Sequence, residues 1–316
     1  MKLTNIFSML GGLALFLYGM NMMSNGLELA AGNKMKTILE KLTSNRILGV
    51  LVGALVTAII QSSSATTVMV VGFVNSGLMS LTSAVWVIMG ANIGTTITGQ
   101  LIAIDITAIA PLIAFIGVAM IVFFKSKKLD AFGSVIGGLG ILFIGMETMS
   151  NAMVPLRTMP EFVGLISKFQ NPFIGILVGA LFTALIQSSS ASVGILQTLA
   201  MNGIVTTNAA IYITLGQNIG SCVTAMLSSM GGSRTAKRAA VMHLTFNVIG
   251  AIVFGSIGFI FFSLRPAFAA SNINAVQISI FHTIFNLSMT TLLFPFADVL
   301  VKISGMVVKE KAEEEP

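Results

Sequence analysis

Apolar stretches close to 20 residues long follow one another along the chain, without the strict alternation of barrel strands. Their lengths and boundaries predict helices over 6–30, 81–103, 106–124, 133–154, 208–229, 237–262 and 275–301. Backbone polar groups in lipid must be satisfied internally, and continuous apolar runs meet that demand as helices. Two segments break the pattern. "ALVTAIIQSSSATT" (54–67) and "ALFTALIQSSSASV" (180–193) each set Gln and three serines inside an apolar run. As unbroken helices, 46–77 and 172–203 would each be about 45 Å long, against a hydrocarbon core of about 30 Å. Broken at the serines, each half is about 20 Å and ends near the midplane. The expected element is therefore a re-entrant helical hairpin, buried in protein or lining a cavity.

The two segments belong to a longer repeat. Gly11 matches Gly137, Asn25 matches Asn151, Gln61 matches Gln187 and Asn92 matches Asn218, always 126 residues apart, and 14 of 18 positions agree between 49–66 and 175–192. Such a gapless register marks two copies of one unit. The reading divides the chain into a first membrane repeat with its connector (1–132, hairpin 46–77), a second repeat (133–230, hairpin 172–203), C-terminal membrane helices (231–304) and a charged tail (305–316). If the hairpins do not cross, the first copy plus connector crosses three times, which inverts the second copy. The expected fold class is an all-α integral membrane protein of two inverted-topology repeats, each with a re-entrant hairpin and a broken helix.

Composition agrees: 55% of the 316 residues are hydrophobic and only 9% charged, where a soluble domain carries about 25% charged residues. The same repeat explains the N-terminus. "GGLALFLYGMNMMSN" returns as "GGLGILFIGMETMSN" inside the chain, so the first apolar run reads as a retained helix rather than a signal peptide. The net charge of +6 is scattered over short loops and implies no nucleic-acid partner. It serves as a topology marker. Lys34, Lys36, Lys41, Arg46, Lys125, Lys127, Lys128, Arg234, Lys237, Arg238, Lys302, Lys309 and Lys311 fall on one side, and Lys2, Arg157, Lys168 and Arg265 on the other. The richer side is expected to be cytoplasmic, giving a multi-pass inner-membrane protein with its C-terminus inside. One cysteine, Cys222, and two histidines allow no internal disulfide and argue against a zinc site. Nothing calls for a cofactor.

Broken helices meeting at mid-membrane are a device of secondary transporters. The second half-helix of each hairpin starts just after its serines, where free N–H groups and the positive dipole end attract anions. The first half-helices end at Gln61 and Gln187, and their unpaired carbonyls suit a hard cation. Thr57 and Thr183, one turn earlier, add hydroxyls, as does Thr66. A second break is expected in each copy at "GANIGTT" (90–96) and "GQNIGSC" (216–222), where Asn92, Thr95, Thr96, Asn218 and Ser221 are candidate cation ligands. Carboxylates are nearly absent from the apolar segments; only Glu28, Asp105, Glu147 and Asp298 come near, which favours sodium over protons as the driving ion. Glu147 replaces Asn21 of the first copy, and its plainer reading is a hydrogen-bonded residue facing the protein interior. Serines also serve close helix packing, but two copies in the same setting argue for a site. The pairs His243/Asn247 and His282/Asn286 sit four apart on helix faces and read more simply as interhelical hydrogen bonds than as proton relays. No nucleophile–base–acid set is visible, so an enzyme is not expected.

With the doubled QSSS, the GANIGTT/GQNIGSC pair and the HLTFN and HTIFN echoes, the chain resembles the type II sodium–phosphate cotransporters in their compact bacterial form, over about residues 5–300. The resemblance implies sodium-driven import of inorganic phosphate by alternating access, with sodium as co-substrate. It implies that Gln61, Ser62, Ser63, Ser64, Gln187, Ser188, Ser189 and Ser190 surround phosphate and sodium. Which oxygen serves which ion stays open. The working division gives the QSSS residues to phosphate, and Thr57, Thr66, Asn92, Thr95, Thr96, Thr183, Asn218 and Ser221 to sodium. Cys222, where the first copy has Thr96, makes the two ion sites inequivalent. Bacterial members often continue into a soluble regulatory domain, so regulation stays open, as do stoichiometry and oligomeric state. The alternatives are a sodium-coupled carrier of sulfate or a dicarboxylate, a non-concentrative anion channel, and a membrane sensor that binds phosphate without moving it.

Overall fold

The computed structural model describes residues 3–31, 38–39, 45–104, 106–124 and 126–309. The expectations placed on Lys2, Lys34, Lys36, Lys41, Asp105, Lys125, Lys311 and the tail from 310 onward lie outside the described residues. Those residues are almost wholly helical, with a single isolated bridge between Thr206 and Asn272. In chain order the helices are α1 (Leu3–Ala31), α2 (Arg46–Ile60), α3 (Ser63–Asn75), α4 (Leu81–Gly94), α5 (Thr96–Ala103), α6 (Ala110–Phe123) and α7 (Lys127–Met153). There follow α8 (Pro160–Ser167), α9 (Pro172–Ile186), α10 (Ser189–Met201), α11 (Thr207–Gly220), α12 (Cys222–Ser229), α13 (Arg234–Leu264), α14 (Pro266–Ala269), α15 (Ala275–Leu293) and α16 (Ala297–Val307).

Among the described residues, six helical stretches are long and apolar enough to cross a membrane: α1, α4–α5, α7 with its 3-10 extension, α11–α12, α13 and α15–α16. The chain is a multi-pass membrane protein. The connector at 106–124 forms a 3-10 turn, Thr107–Ile109, and then α6. At 17 apolar residues it is about 26 Å long, shorter than the six. The half-helices α2, α3, α9 and α10, expected to form hairpins, are each 13 or 15 residues, too short to span alone. The 160–170 segment turns by 105° into α9.

The same local devices recur 126 residues apart. Asn45 caps α2 by accepting from the amides of Ile47 and Leu48; Asn171 caps α9 by accepting from Phe173 and Ile174. Gly77 and Gly203 both take positive φ, 74° and 62°, where the hairpins end; only glycine does this without strain.

The expected second break falls at a single residue in each copy. Thr95 and Ser221 interrupt their helices for one residue and keep right-handed helical angles, and their amides still bond to Ala91 and Gln217. The glycines there serve approach rather than unwinding. A Cβ on Gly94 would lie 2.7 Å from Thr57 Cβ, and one on Gly220 the same distance from Thr183 Cβ. In lipid, small residues of this kind let helix backbones touch. The seam of α1 and α7 is built the same way, on Gly12, Gly19, Gly26, Gly138 and Gly145.

Three buried apolar clusters fill the remaining space. The largest joins the first hairpin and α4 to the C-terminal helices through residues such as Val56, Trp86, Phe246 and Phe285. Outward faces carry exposed Phe115, Leu181, Phe259 and Ile260, as a lipid-facing surface requires.

Candidate functional site

The tip between each pair of half-helices is two residues of non-helical backbone. Gln61 and Gln187 end α2 and α9 in the left-handed region, both at φ 58°. That conformation costs a residue with a Cβ about 1 kcal/mol or more, and strain of this kind gathers at functional sites. Ser62 and Ser188 then turn extended and cap α3 and α10 by accepting from the amides of Ala65 and Ala191. The caps use the third amide of each half-helix. The amides of Ser63, Ser64, Ser189 and Ser190 have no intrahelical acceptor and face outward from the helix end.

The two tips meet. Ser63 Oγ lies 3.5 Å from Ser189 Oγ, Thr95 Oγ1 lies 3.3 Å from Ser189 Oγ, and Ser64 donates to the Gln187 carbonyl at 3.3 Å. Around them opens a cavity of about 410 Å³ lined by all eight Gln and Ser residues of the repeated motif. Gln61, Ser63, Ser189 and Ser190 are buried, whereas Gln187 is exposed.

Among the described residues, no charged side chain lines this cavity. An anion entering it meets hydroxyls, amide N–H groups and two helix N-termini, none of which neutralises its charge. Gln61 adds the opposite polarity. Its Nε2 donates to the Ala58 carbonyl, and its Oε1 is buried with no partner. A buried acceptor needs a donor or a cation. With the carbonyls at the α2 terminus it fits a cation better than it fits the acceptor oxygens of an oxyanion.

The other sequence candidates separate into groups. Thr57 donates to Thr66 Oγ1 at 2.9 Å, and Thr183 to Ser192 Oγ at 2.8 Å; these pairs staple the two halves of each hairpin behind the tip. Asn92 and Asn218 hook their amide nitrogens back onto the carbonyls of Ile88 and Thr214. Thr96 and Ser221 donate to Ile93 and Asn218 on their own helices. Of the eight, Thr95 alone contacts a QSSS residue of the opposite tip. The His/Asn pairs act between helices: His282 Nε2 and Asn286 Nδ2 reach Asn218 Oδ1 at 3.2 and 3.3 Å, and Asn247 donates to Cys222 Sγ at 3.3 Å. Glu147 is exposed on α7 rather than turned to the interior. It sits at an i+3 spacing from Ser150, which is occupied with Asn202.

Asn21 and Ser24 of α1 also line the cavity, and Ser24 donates to the Ile60 carbonyl at 2.8 Å. The sequence held a signal for them, two polar residues three apart in an apolar helix, but without the fold nothing directs α1 at the tips. Gln197 was likewise missed. It is fully buried, and its Nε2 binds Gly99 O, Ala275 O and Ser279 Oγ, tying α10 to α5 and α15.

Replacing Gln61 by glycine separates geometry from chemistry. Glycine accepts the left-handed backbone freely, so Gln61→Gly is expected to leave the thermal stability of the purified protein unchanged or raise it by up to about 1 kcal/mol. Sodium binding to the purified protein should weaken at least about tenfold, as expected for a lost buried ligand. Undiminished sodium binding by this variant would mean that Gln61 only shapes the turn.

A family model described as Na+/Pi-cotransporter matches residues 15–151 and 158–292. The candidate inorganic phosphate export protein YjbB of Escherichia coli (strain K12) is 28% identical over 307 residues, 96% of this chain and 56% of that protein. The chain thus spans little more than half the length of this relative. The uncharacterized protein YqeW of Bacillus subtilis (strain 168) is 31% identical over 302 residues, 94% of this chain and 96% of that one. Sodium-dependent phosphate transport protein 2A of Rattus norvegicus is 40% identical over 105 residues, 33% of this chain and 16% of that protein. No solved structure matches.

Proposed function

This chain belongs to the Na+/Pi-cotransporter family, and from that premise we propose that it imports inorganic phosphate coupled to sodium by alternating access. The observation that carries the reading is the meeting of two serine tips in one uncharged cavity. Phosphate sits between the N-termini of α3 and α10, held by Ser62, Ser63, Ser64, Ser188, Ser189 and Ser190. Sodium binds beside it, at Gln61 Oε1 and the carbonyls ending α2 and α9, with Thr95 nearest. The remaining hydroxyls and amides from Thr57 to Ser221 hold these groups in place. A dianion entering a site without cationic side chains loses hydration that neutral dipoles only partly replace. Bound sodium makes up the difference, so the two solutes move together.

The proposal includes the topology. The repeats, 1–132 and 133–230, are inverted. The hairpins 46–77 and 172–203 enter from opposite faces without crossing, and 231–304 completes the membrane domain. The side bearing the thirteen basic residues faces the cytoplasm of an inner-membrane protein. A second reading, export, is favoured by the likeness to YjbB, whose name describes an exporter.

Radiolabelled phosphate in proteoliposomes of known orientation tests both. Inward sodium gradients are expected to drive concentrative uptake, and unlabelled sulfate or a dicarboxylate should compete poorly. Equal uptake with and without the gradient removes sodium coupling. Movement that never exceeds equilibrium marks a channel, and preferential efflux selects the export reading.

A further inference from the structure

Two bodies of the protein each keep the symmetry of the repeat, while the join between them does not. In the first body α1 lies on α7. A Cβ on Gly19 meets the Gly138 carbonyl at 2.6 Å, and a Cβ on Gly145 meets the Gly12 carbonyl at 2.6 Å. Adding 126 to one residue of each pair and subtracting it from the other turns one contact into the other. In the second body the hairpins pack on α4 and α11. A Cβ on Gly94 and one on Gly220 would meet Thr57 and Thr183 at the same 2.7 Å, and the Thr57–Thr66 and Thr183–Ser192 bonds measure 2.9 and 2.8 Å. Seams packed at backbone distance do not deform continuously, so each body is expected to hold together as a unit.

At the join the copies part company. Ser24 of α1 donates to the Ile60 carbonyl, at the first tip. Ser150, its counterpart on α7, accepts at 2.8 Å from Asn202 Nδ2, at the far end of α10. Arg157 holds the same Asn202 through Oδ1 at 2.8 Å. Asn202 is twelve residues past Ser190, about 18 Å along the helix. α7 therefore engages its hairpin roughly 18 Å away from the level at which α1 engages its own. The cavity follows this offset: its α1 wall includes Asn21 and Ser24, and no residue of α7 lines it.

Two internally symmetric bodies joined off-centre have a second arrangement in which the copies exchange roles with the same internal packing. We infer that in this second arrangement α7 becomes the cavity wall, with Ser150 donating to the Ile186 carbonyl and Glu147 standing where Asn21 stands now. The inference rests on the transport reading above and names the group that distinguishes its two states. Asn21 offers an N–H to an oxyanion. Glu147 offers only acceptors and a like charge, which disfavours the anion. The state walled by α1 holds phosphate, and the state walled by α7 discharges it.

Cysteine pairs in the whole chain in liposomes test the geometry, with the buried native Cys222 kept and single-cysteine controls. A short bifunctional maleimide should join Ser24→Cys to Ile60→Cys, and also Ser150→Cys to Ile186→Cys. Here Ser150 is engaged with Asn202 at the far end of α10, and the yield of the second pair should change with sodium and phosphate. If only the first pair joins under every combination of the two solutes, the exchanged state does not exist. Cross-linking is independent of the cargo, so a chain that joins both pairs but takes up no phosphate overturns the transport reading and supports this one. Glu147→Gln should tighten phosphate binding about fivefold on one membrane face only, with Glu147→Asp restoring the parent value. No change on either face removes the carboxylate from the mechanism.

Discussion

On the proposed function, sodium-driven phosphate uptake is expected to fall below a tenth of the parent value in Ser189→Ala, and to background when Ser63→Ala is added. Ser189 Oγ is the hub of the meeting tips, in reach of both Ser63 and Thr95. It is buried, and it stands on the first turn of α10. A hydrogen bond to a charged ligand contributes about 1.5–3 kcal/mol, or roughly 10–150-fold in affinity. The loss should exceed that of an ordinary surface hydroxyl because water in the cavity does not restore a fixed donor. Helix content and detergent gel-filtration profile should match the parent, since the cap of α10 is Ser188 and stays intact. Normal uptake by the double variant would reduce the tips to a packing contact.

The largest structural effect is expected from Gly94→Val and Gly220→Val. A first side-chain carbon at either position already falls 2.7 Å from a threonine Cβ, and two further methyls have nowhere to go. Overpacking in a close-packed interior costs about 1–3 kcal/mol, and more here because the obstacle includes the backbone of the facing hairpin. The pair Thr57–Thr66, or Thr183–Ser192, would be driven apart, and the tip with it. Both variants should yield little monodisperse protein. Gly72→Val, placed where nothing lies within 4 Å, should purify like the parent. Equal yields from all three would show that the seam of α2 and α4 is looser than its geometry.

The difference between what the residues disclosed and what they hid follows from distance along the chain. The tips were legible because a Gln-Ser-Ser-Ser run inside apolar sequence has few local explanations, and because its second copy repeats it in register. Capping by Ser62 and Ser188 follows the ordinary preference for hydroxyls at helix starts. The glycines around Asn92 and Asn218 misled, since a glycine that lets two backbones touch and one that opens a helix look the same in sequence. Ser24 and Gln197 act on partners 36 or more residues away, Asn21 lines a cavity formed by distant segments, and no periodicity encodes which neighbour a helix face will meet. Glu147 was misplaced for the same reason. Its helix was recognised, but not the face of it that α1 would cover.

The uncharged lining of the cavity has an electrical consequence. A site that carried its own arginine would neutralise part of the cargo and would itself sense the membrane field. In the arrangement walled by α1 the site adds no charge of its own, so in the proposed cycle the charge it carries there belongs to the passengers. If sodium ions outnumber the negative charges of phosphate, each excess charge draws about 2.3 kcal/mol from a 100 mV potential. Current per phosphate would then count the accompanying ions directly.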